Sequence, residues 1–261
     1  MITPSSRAIY LIWTPSWTYK SSGVRVLHLL CHELNERGEK AYLIPSDAVF
    51  VRHPHLNTPH GLDLTNNWPE FHNSGIDYIV IYPDVVTGNP LKAKKVVRYL
   101  LAPRGLYGGS KEFPATDKVY GYTKDLADKV LFLPPYDEGV FYPPPDGSPR
   151  AGEVFYSHKY DKIHRNTLPP VTDAHWKRLE GTPQELAGML RAAEICYMFE
   201  RSEVGILARM CGCKVVNIVS DYWDGKDPDE AVDPEGNLRA IDWAVFYEQL
   251  AAFIEETQTW R

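Results

Sequence analysis

Three short stretches carry residues whose types and spacing suit the handling of an anion. In KSSGVR (20–25), a Ser-Ser-Gly turn precedes a helix, so backbone N–H groups at Ser22 and Gly23 are free to hold a negative group. Gly23 adds room for close approach, although Ser and Gly are also ordinary helix-start residues. In YSHKYDKIHR (156–165), Lys159, Lys162 and Arg165 follow an apolar strand and are suited to balance a diphosphate. The bland reading is a solvated basic loop. In ERSEVGILARMCGCKVVNIV (200–219), Ser202 suits an N-cap, and the first N–H groups of a helix over 203–211 are suited to face a phosphate. Val204, Leu207, Ala208 and Cys211 form that helix's apolar stripe and Gly212 its stop. A plain strand-to-helix connection explains the stripe but gives no reason for Glu200 and Glu203 flanking Ser202.

The elements that must position these groups alternate strand and helix. RAIYLIWTP (7–15) reads as a strand and 24–38 as a helix, with Val24, Leu27, Leu30, Cys31 and Leu34 on one face and Gly38 as its stop. A second strand falls at 40–45, loop at 46–75, and a strand buried on both faces at 77–85. Residues 88–103 read as a turn and then a helix, with Val96, Val97, Leu100 and Leu101 inward and Lys92, Lys94, Lys95 and Arg98 toward water. The stretch 133–150 holds six prolines and marks a semi-rigid domain boundary. Beyond it come a strand at 153–159, a helix at 182–194, a strand at 195–199, the helix 203–211 and a strand at 214–219. The acidic stretch 224–237 reads as loop, and 242–256 as a closing amphipathic helix with Trp243, Phe246, Leu250 and Phe253 on one side. The expected architecture is α/β, with two Rossmann-like domains at 1–140 and 141–261 facing across a cleft, the helix 242–256 closing the second.

Composition bounds the function. The 261 residues are 44% hydrophobic and 24% charged, as in a globular protein with a real core. A net charge of -6 argues against general nucleic-acid binding. No apolar run approaches the roughly 18 residues of a membrane span, and MITPSSRAIYLIW lacks a secretion leader, so the expected compartment is the cytoplasm. Cys31, Cys196, Cys211 and Cys213 show no CxxC spacing and no His-rich partner, so they read as buried free thiols and no metal is expected. Trp13, Trp17 and Trp68 read as core first, with stacking on acceptor sugars as the other reading.

In combination, SSGVRVLHLLCHELNERGEKAYLI, IYPDVVTGNPLKAKKVVRYLLAPRGLYGG, LPPYDEGVFYPPP and CYMFERSEVGILARMCGCKVV resemble segments of GT-B-fold glycosyltransferases of the family 4 kind, closest to a bacterial polysaccharide-synthesis branch. The resemblance implies transfer of a sugar from a nucleotide-sugar donor to a glycan or lipid-linked acceptor, retaining and without a metal or other cofactor. It implies that Lys159 neutralises phosphate charge with Arg165 helping, and that Ser202 and the following amides hold the diphosphate. Glu200 would touch the transferred sugar, and Ser22 and Gly23 would close over the donor from the first domain. Peripheral membrane contact and oligomerisation are both compatible with such an acceptor.

Two departures stand out. The family's second glutamate, which grips the ribose, falls at Leu207, which cannot accept a hydroxyl hydrogen bond. Glu203 lies one turn earlier on nearly the same face and is the expected substitute. A carboxylate about 4 Å from a phosphate would cost around 4 kcal/mol at an effective dielectric of about 20, so Glu203 must point at the ribose. The second domain is also shorter than the family's usual one, which fits a minimal enzyme or one that borrows surface from a partner or a second copy. Two other readings share the fold. One is a non-catalytic GT-B-like binding or scaffold protein that lost its ribose clamp, the other a sugar-nucleotide epimerase or hydrolase.

Overall fold

The computed structural model describes residues 7–61, 67–133, 139–158, 160–161, 164, 175–200, 202–218 and 243–260. The chain divides into two compact units, Met1–Pro135 with Asp242–Arg261, and Tyr136–Ile241.

The first unit is built on a five-stranded parallel sheet of order β2-β1-β3-β4-β5, comprising β1 (Ile9–Thr14), β2 (Ala41–Pro45), β3 (Tyr78–Pro83), β4 (Lys95–Leu100) and β5 (Lys118–Gly121). Every residue of β3 is buried, which is why its sequence is a continuous apolar run instead of an alternation. Helix α1 (Ser22–Glu36) starts where Ser21 Oγ accepts the Val24 N–H. Beyond its end, Gly38 adopts a φ of 78°, and Asn35 ties the helix to β2 by exchanging hydrogen bonds with both the N–H and the carbonyl of Ala41. One sheet face, with Tyr10, Ile12, Ile79, Ile81, Val97 and Tyr99, packs on α1. The other, with Leu11, Val80, Tyr82 and Val96, packs on Phe71 of the short helix α2 (Trp68–His72) and on Leu91.

The second unit has a four-stranded parallel sheet of order β7-β6-β8-β9, made of β6 (Glu153–Tyr156), β7 (Lys177–Arg178), β8 (Ile195–Met198) and β9 (Lys214–Asn217). Helix α3 (Pro183–Ala192) opens with a capping box between Thr182 and Glu185 and proline in its first turn. Helix α4 (Glu203–Met210) is capped by Ser202 and followed by Gly212 at a φ of 73°. Arg150 donates to the carbonyls of Cys211 and Gly212 and so caps the helix's other end.

Three expectations are corrected. Residues 95–100 form strand β4 and not a helix. Arg98, expected to face water, is 1% exposed and donates to Asp117 at 2.8 Å. The last helix, α5 (Trp243–Gln258), belongs to the first unit and not the second. Its Phe246, Leu250 and Phe253 complete the α1-side core, and Thr257 bonds the Tyr10 hydroxyl at 2.7 Å. Strand β5, the two-residue β7 and α2 carry too little periodic signal to be read from sequence. The stretch 224–237 lies outside the described residues. Among the described residues, no helix is long and apolar enough to cross a membrane.

Candidate functional site

Both sheets place their first and third strands side by side, β1 beside β3 and β6 beside β8. In an open α/β sheet the strand order reverses there, and the loops leaving the two strands part to leave a crevice. In the second unit those loops hold the residues singled out above.

The loop leaving β8 presents Glu200, whose side chain turns back toward the loop leaving β6. Glu200 is 1% exposed, and its Oε2 accepts the backbone N–H of His158 and of Tyr160, each at 2.7 Å. Its Oε1 is buried and has no hydrogen-bond partner among the described residues. The carboxylate therefore splints the start of the basic segment 158–165 and keeps one oxygen in reserve. Lys159, Lys162 and Arg165 themselves lie outside the described residues.

Ser202 has extended backbone (φ -151°, ψ 151°) and accepts the Val204 N–H at 3.3 Å. Glu203 is half-buried in the first turn of α4, while Leu207 and Ala208 are 3% and 0% exposed. Leu207, where the resemblance led to the expectation of a ribose clamp, is thus part of the core. Gly205 leaves ordinary space, since a Cβ there would sit 3.7 Å from Met198 Cε.

Tyr156, at the end of β6, joins this group. Burial pushes its phenol up to about 12, with the Glu200 carboxylate adding to the rise and a hydrogen bond with Ser202 opposing it. Its hydroxyl is therefore a firmly held proton at neutral pH. Beneath the segment, Ser157 Oγ donates to Asp161 at 2.7 Å, and Arg178 on β7 pairs with Asp161 and donates to the Ser157 carbonyl. Tyr156, Asp161 and Arg178 were not legible as site residues. Tyr156 and Asp161 look like ordinary strand and loop positions, and Arg178 comes from a strand of two residues.

In the first unit, Ser22 is the first residue of α1 and Ser21, not Ser22, is its cap. Gly23 meets protein: a Cβ there would lie 3.4 Å from Leu101 Cδ1, an ordinary packing contact. Trp13 packs against Tyr82, and Trp68 against Phe71 and Tyr78, each half-buried against the outside of the α2-side core cluster. Among the described residues, no group of three His, Cys, Asp or Glu is arranged to hold a metal. Cys31, Cys196, Cys211 and Cys213 are buried free thiols, and burial pushes the Cys213 thiol up to about 11. A cavity of about 660 Å³ lies at the opposite edge of the first unit, lined by Arg7, Glu36, Arg37, Glu39 and Gln258. Arg7 precedes β1, so this cavity sits at the amino ends of the strands, away from the ligand edge.

No protein-family model matches the sequence, and no curated protein matches it. Among solved structures, the chain is similar to sucrose-phosphate synthase from Thermosynechococcus elongatus, at 12% identity and a TM-score of 0.47, over 97% of this chain and 92% of that chain.

Proposed function

We propose that the chain is a glycosyltransferase that moves a sugar from a nucleotide-sugar donor to a glycan or lipid-linked acceptor. In this reading it retains configuration, needs no metal, and binds the donor on the second unit. The observation that supports it is the splint at Glu200. One carboxylate oxygen bonds two amides of the basic segment, bringing that segment beside the Ser202-capped start of α4. A helix start on the ligand edge is suited to hold a departing diphosphate, where preorganised donors lower the barrier to leaving. Lys159 and Arg165 would neutralise phosphate charge, Ser202 and the α4 amides would hold it, and Glu200 would serve the transferred sugar through Oε1. Glu203 would take the ribose in place of the clamp lost at Leu207.

A non-catalytic nucleotide or sugar binder is the second reading, favoured by the burial of Leu207 and Ala208 where a clamp would have to sit. Isothermal titration with UDP, GDP, dTDP and CMP, followed by turnover of a labelled donor with candidate acceptors, separates the readings. Binding plus transferred label supports the transferase, and binding with no product the scaffold. A released or inverted sugar without acceptor supports a hydrolase or epimerase. Binding by none of the four nucleotides at millimolar concentration overturns the donor site.

A further inference from the structure

The loop that follows β2 is tied down by imidazole rings that act as acceptors. The Asn57 N–H donates to His32 Nδ1 of α1 at 3.0 Å, and the Asn57 side-chain amide donates to Glu36 Oε1 at 3.2 Å. Within the loop, the His55 N–H donates to His53 Nδ1 at 3.2 Å. The His53 ring lies against Trp17 of the loop leaving β1, ring centroids 4.5 Å apart. Main-chain bonds hold both ends of this segment whatever the pH. Trp17 N–H donates to the Val51 carbonyl and Leu43 N–H to the Pro59 carbonyl, each at 2.8 Å.

A backbone N–H only donates, so both Nδ1 atoms are bare in this arrangement. A proton added to either ring turns that acceptor into a donor facing a donor, and the bond is lost. The His32 side chain is 24% exposed and His53 is half-buried, so protons from solvent reach both rings. Imidazole is the side chain whose ordinary pKa, about 6.5, puts this change close to neutrality.

The surrounding charges act in the same direction. Glu33 and Glu36 of α1 lie beside His32, with Glu36 Oε1 3.8 Å from Nδ1, so a proton arriving there has a carboxylate to pair with. That pair competes for the same Glu36 oxygen that holds the Asn57 side chain. Around His53 stand His28 and His32 of α1 and His55 of its own loop, which repel one another when charged. Burial lowers the His53 pKa, and charge on His55 or His32 lowers it further, so the latched ring is the neutral one. The loop's fixed charges are engaged elsewhere. Arg52 donates to the Thr58 carbonyl at 3.0 Å, and Asp47 accepts the Ser16 N–H at 2.6 Å.

We propose that His32 and His53 form a pH-operated latch that holds residues 52–57 on α1 at neutral pH and releases them in acid. The released segment binds more protons than the latched one, so the latch strengthens as pH rises. It is complete above about pH 7.5 and drains away as pH falls below about 6.5. It does not depend on the proposed function.

The test follows the ¹⁵N-labelled full chain from about pH 8 to about pH 5. Long-range ¹H–¹⁵N spectra report protonation of each ring, and His32→Asn and His53→Asn identify the signals. The readout is exchange of the Asn57 and His55 amide protons with water, each divided by the rate of the same residue in an unstructured peptide at that pH. The expected result is a rise of about three- to tenfold in that ratio, tracking protonation of the rings, while the Val80 amide of β3 stays protected. In the double variant His32→Asn, His53→Asn an oxygen acceptor replaces each Nδ1 and does not titrate, so the ratio should stay flat. Asparagine is suited to this, since its side chain readily bonds the N–H two residues on. Rings that protonate while both ratios stay unchanged overturn the latch, as do rings that remain neutral to about pH 5 in the folded chain. A ratio that still rises in the folded double variant overturns it too. So does loss of Val80 protection together with the loop, which is general unfolding and not release. If the double variant fails to fold, the wild-type titration decides alone.

Discussion

Glu200 shows how one side chain can serve two ends. Its Oε2 accepts two amides, of which that of Tyr160 is buried, and a buried donor left unpaired costs about 1–3 kcal/mol. A glutamine carbonyl accepts the same two bonds, so Glu200→Gln should keep nearly all the stability. Glu200→Ala should lose about 1–3 kcal/mol in urea denaturation. If Gln and Ala are equally damaging, negative charge and not acceptor geometry holds the turn. Ser202 was legible as a cap because its partner, Val204, is two residues away. The partners of Glu200 are 40 and 42 residues away in sequence, so no local pattern announces them. For the same reason the sequence offers a carboxylate beside a serine but not the Tyr156 phenol that completes the group.

At the scale of elements, β4 is the instructive error. Val96, Val97, Leu100 and Leu101 fit a helical face, and a strand buried on both sides offers no alternation to compete with that pattern. The β-branched pair and Tyr99 favour a strand, and six residues suffice to pair β3 on one side and β5 on the other. The misreading carried Arg98 to the surface. In the fold its guanidinium lies 5.2 Å from the Tyr82 ring and 5.1 Å from Phe113, with Asp117 as counter-charge. Side-chain exposures of 1% for Arg98 and 7% for Asp117 make this a buried pair, in which loss of one partner strands the other's charge. Asp117→Ala should therefore cost about 3–5 kcal/mol, whereas the double variant Arg98→Met, Asp117→Leu should lie close to wild type, both read by chemical denaturation. A mild Asp117→Ala would mean that solvent reaches the guanidinium.

At the scale of the molecule, alternation of strands and helices and the proline-rich stretch made the α/β class and the existence of two units legible. Which sheet the last helix covers was not. An amphipathic stripe says that Phe246, Leu250 and Phe253 are buried but not against what, and the proximity of α5 to the second unit in sequence misleads. The charges on α5 supply what the stripe lacks. Glu256 accepts from Lys118 Nζ at 2.6 Å and the Tyr120 hydroxyl at 2.7 Å, both on β5, and pairs with Lys129. Desolvation alone would raise its pKa, but the hydrogen bonds from Lys118, Lys129 and Tyr120 outweigh burial and hold it at about 2, against an ordinary 4.5. A carboxylate with a depressed pKa in the folded state adds stability that is complete above its unfolded pKa. The same stability drains away as pH falls from about 4.5 toward about 2. Wild type should accordingly lead Glu256→Gln in urea midpoint at about pH 6, and the lead should shrink by about pH 3. Other carboxylates titrate in both proteins, so the difference between the two curves isolates Glu256. A lead that stays constant with pH would show that the charge of Glu256 contributes nothing, and no lead at about pH 6 would show that its bonds to β5 do not help to hold α5 on the first sheet.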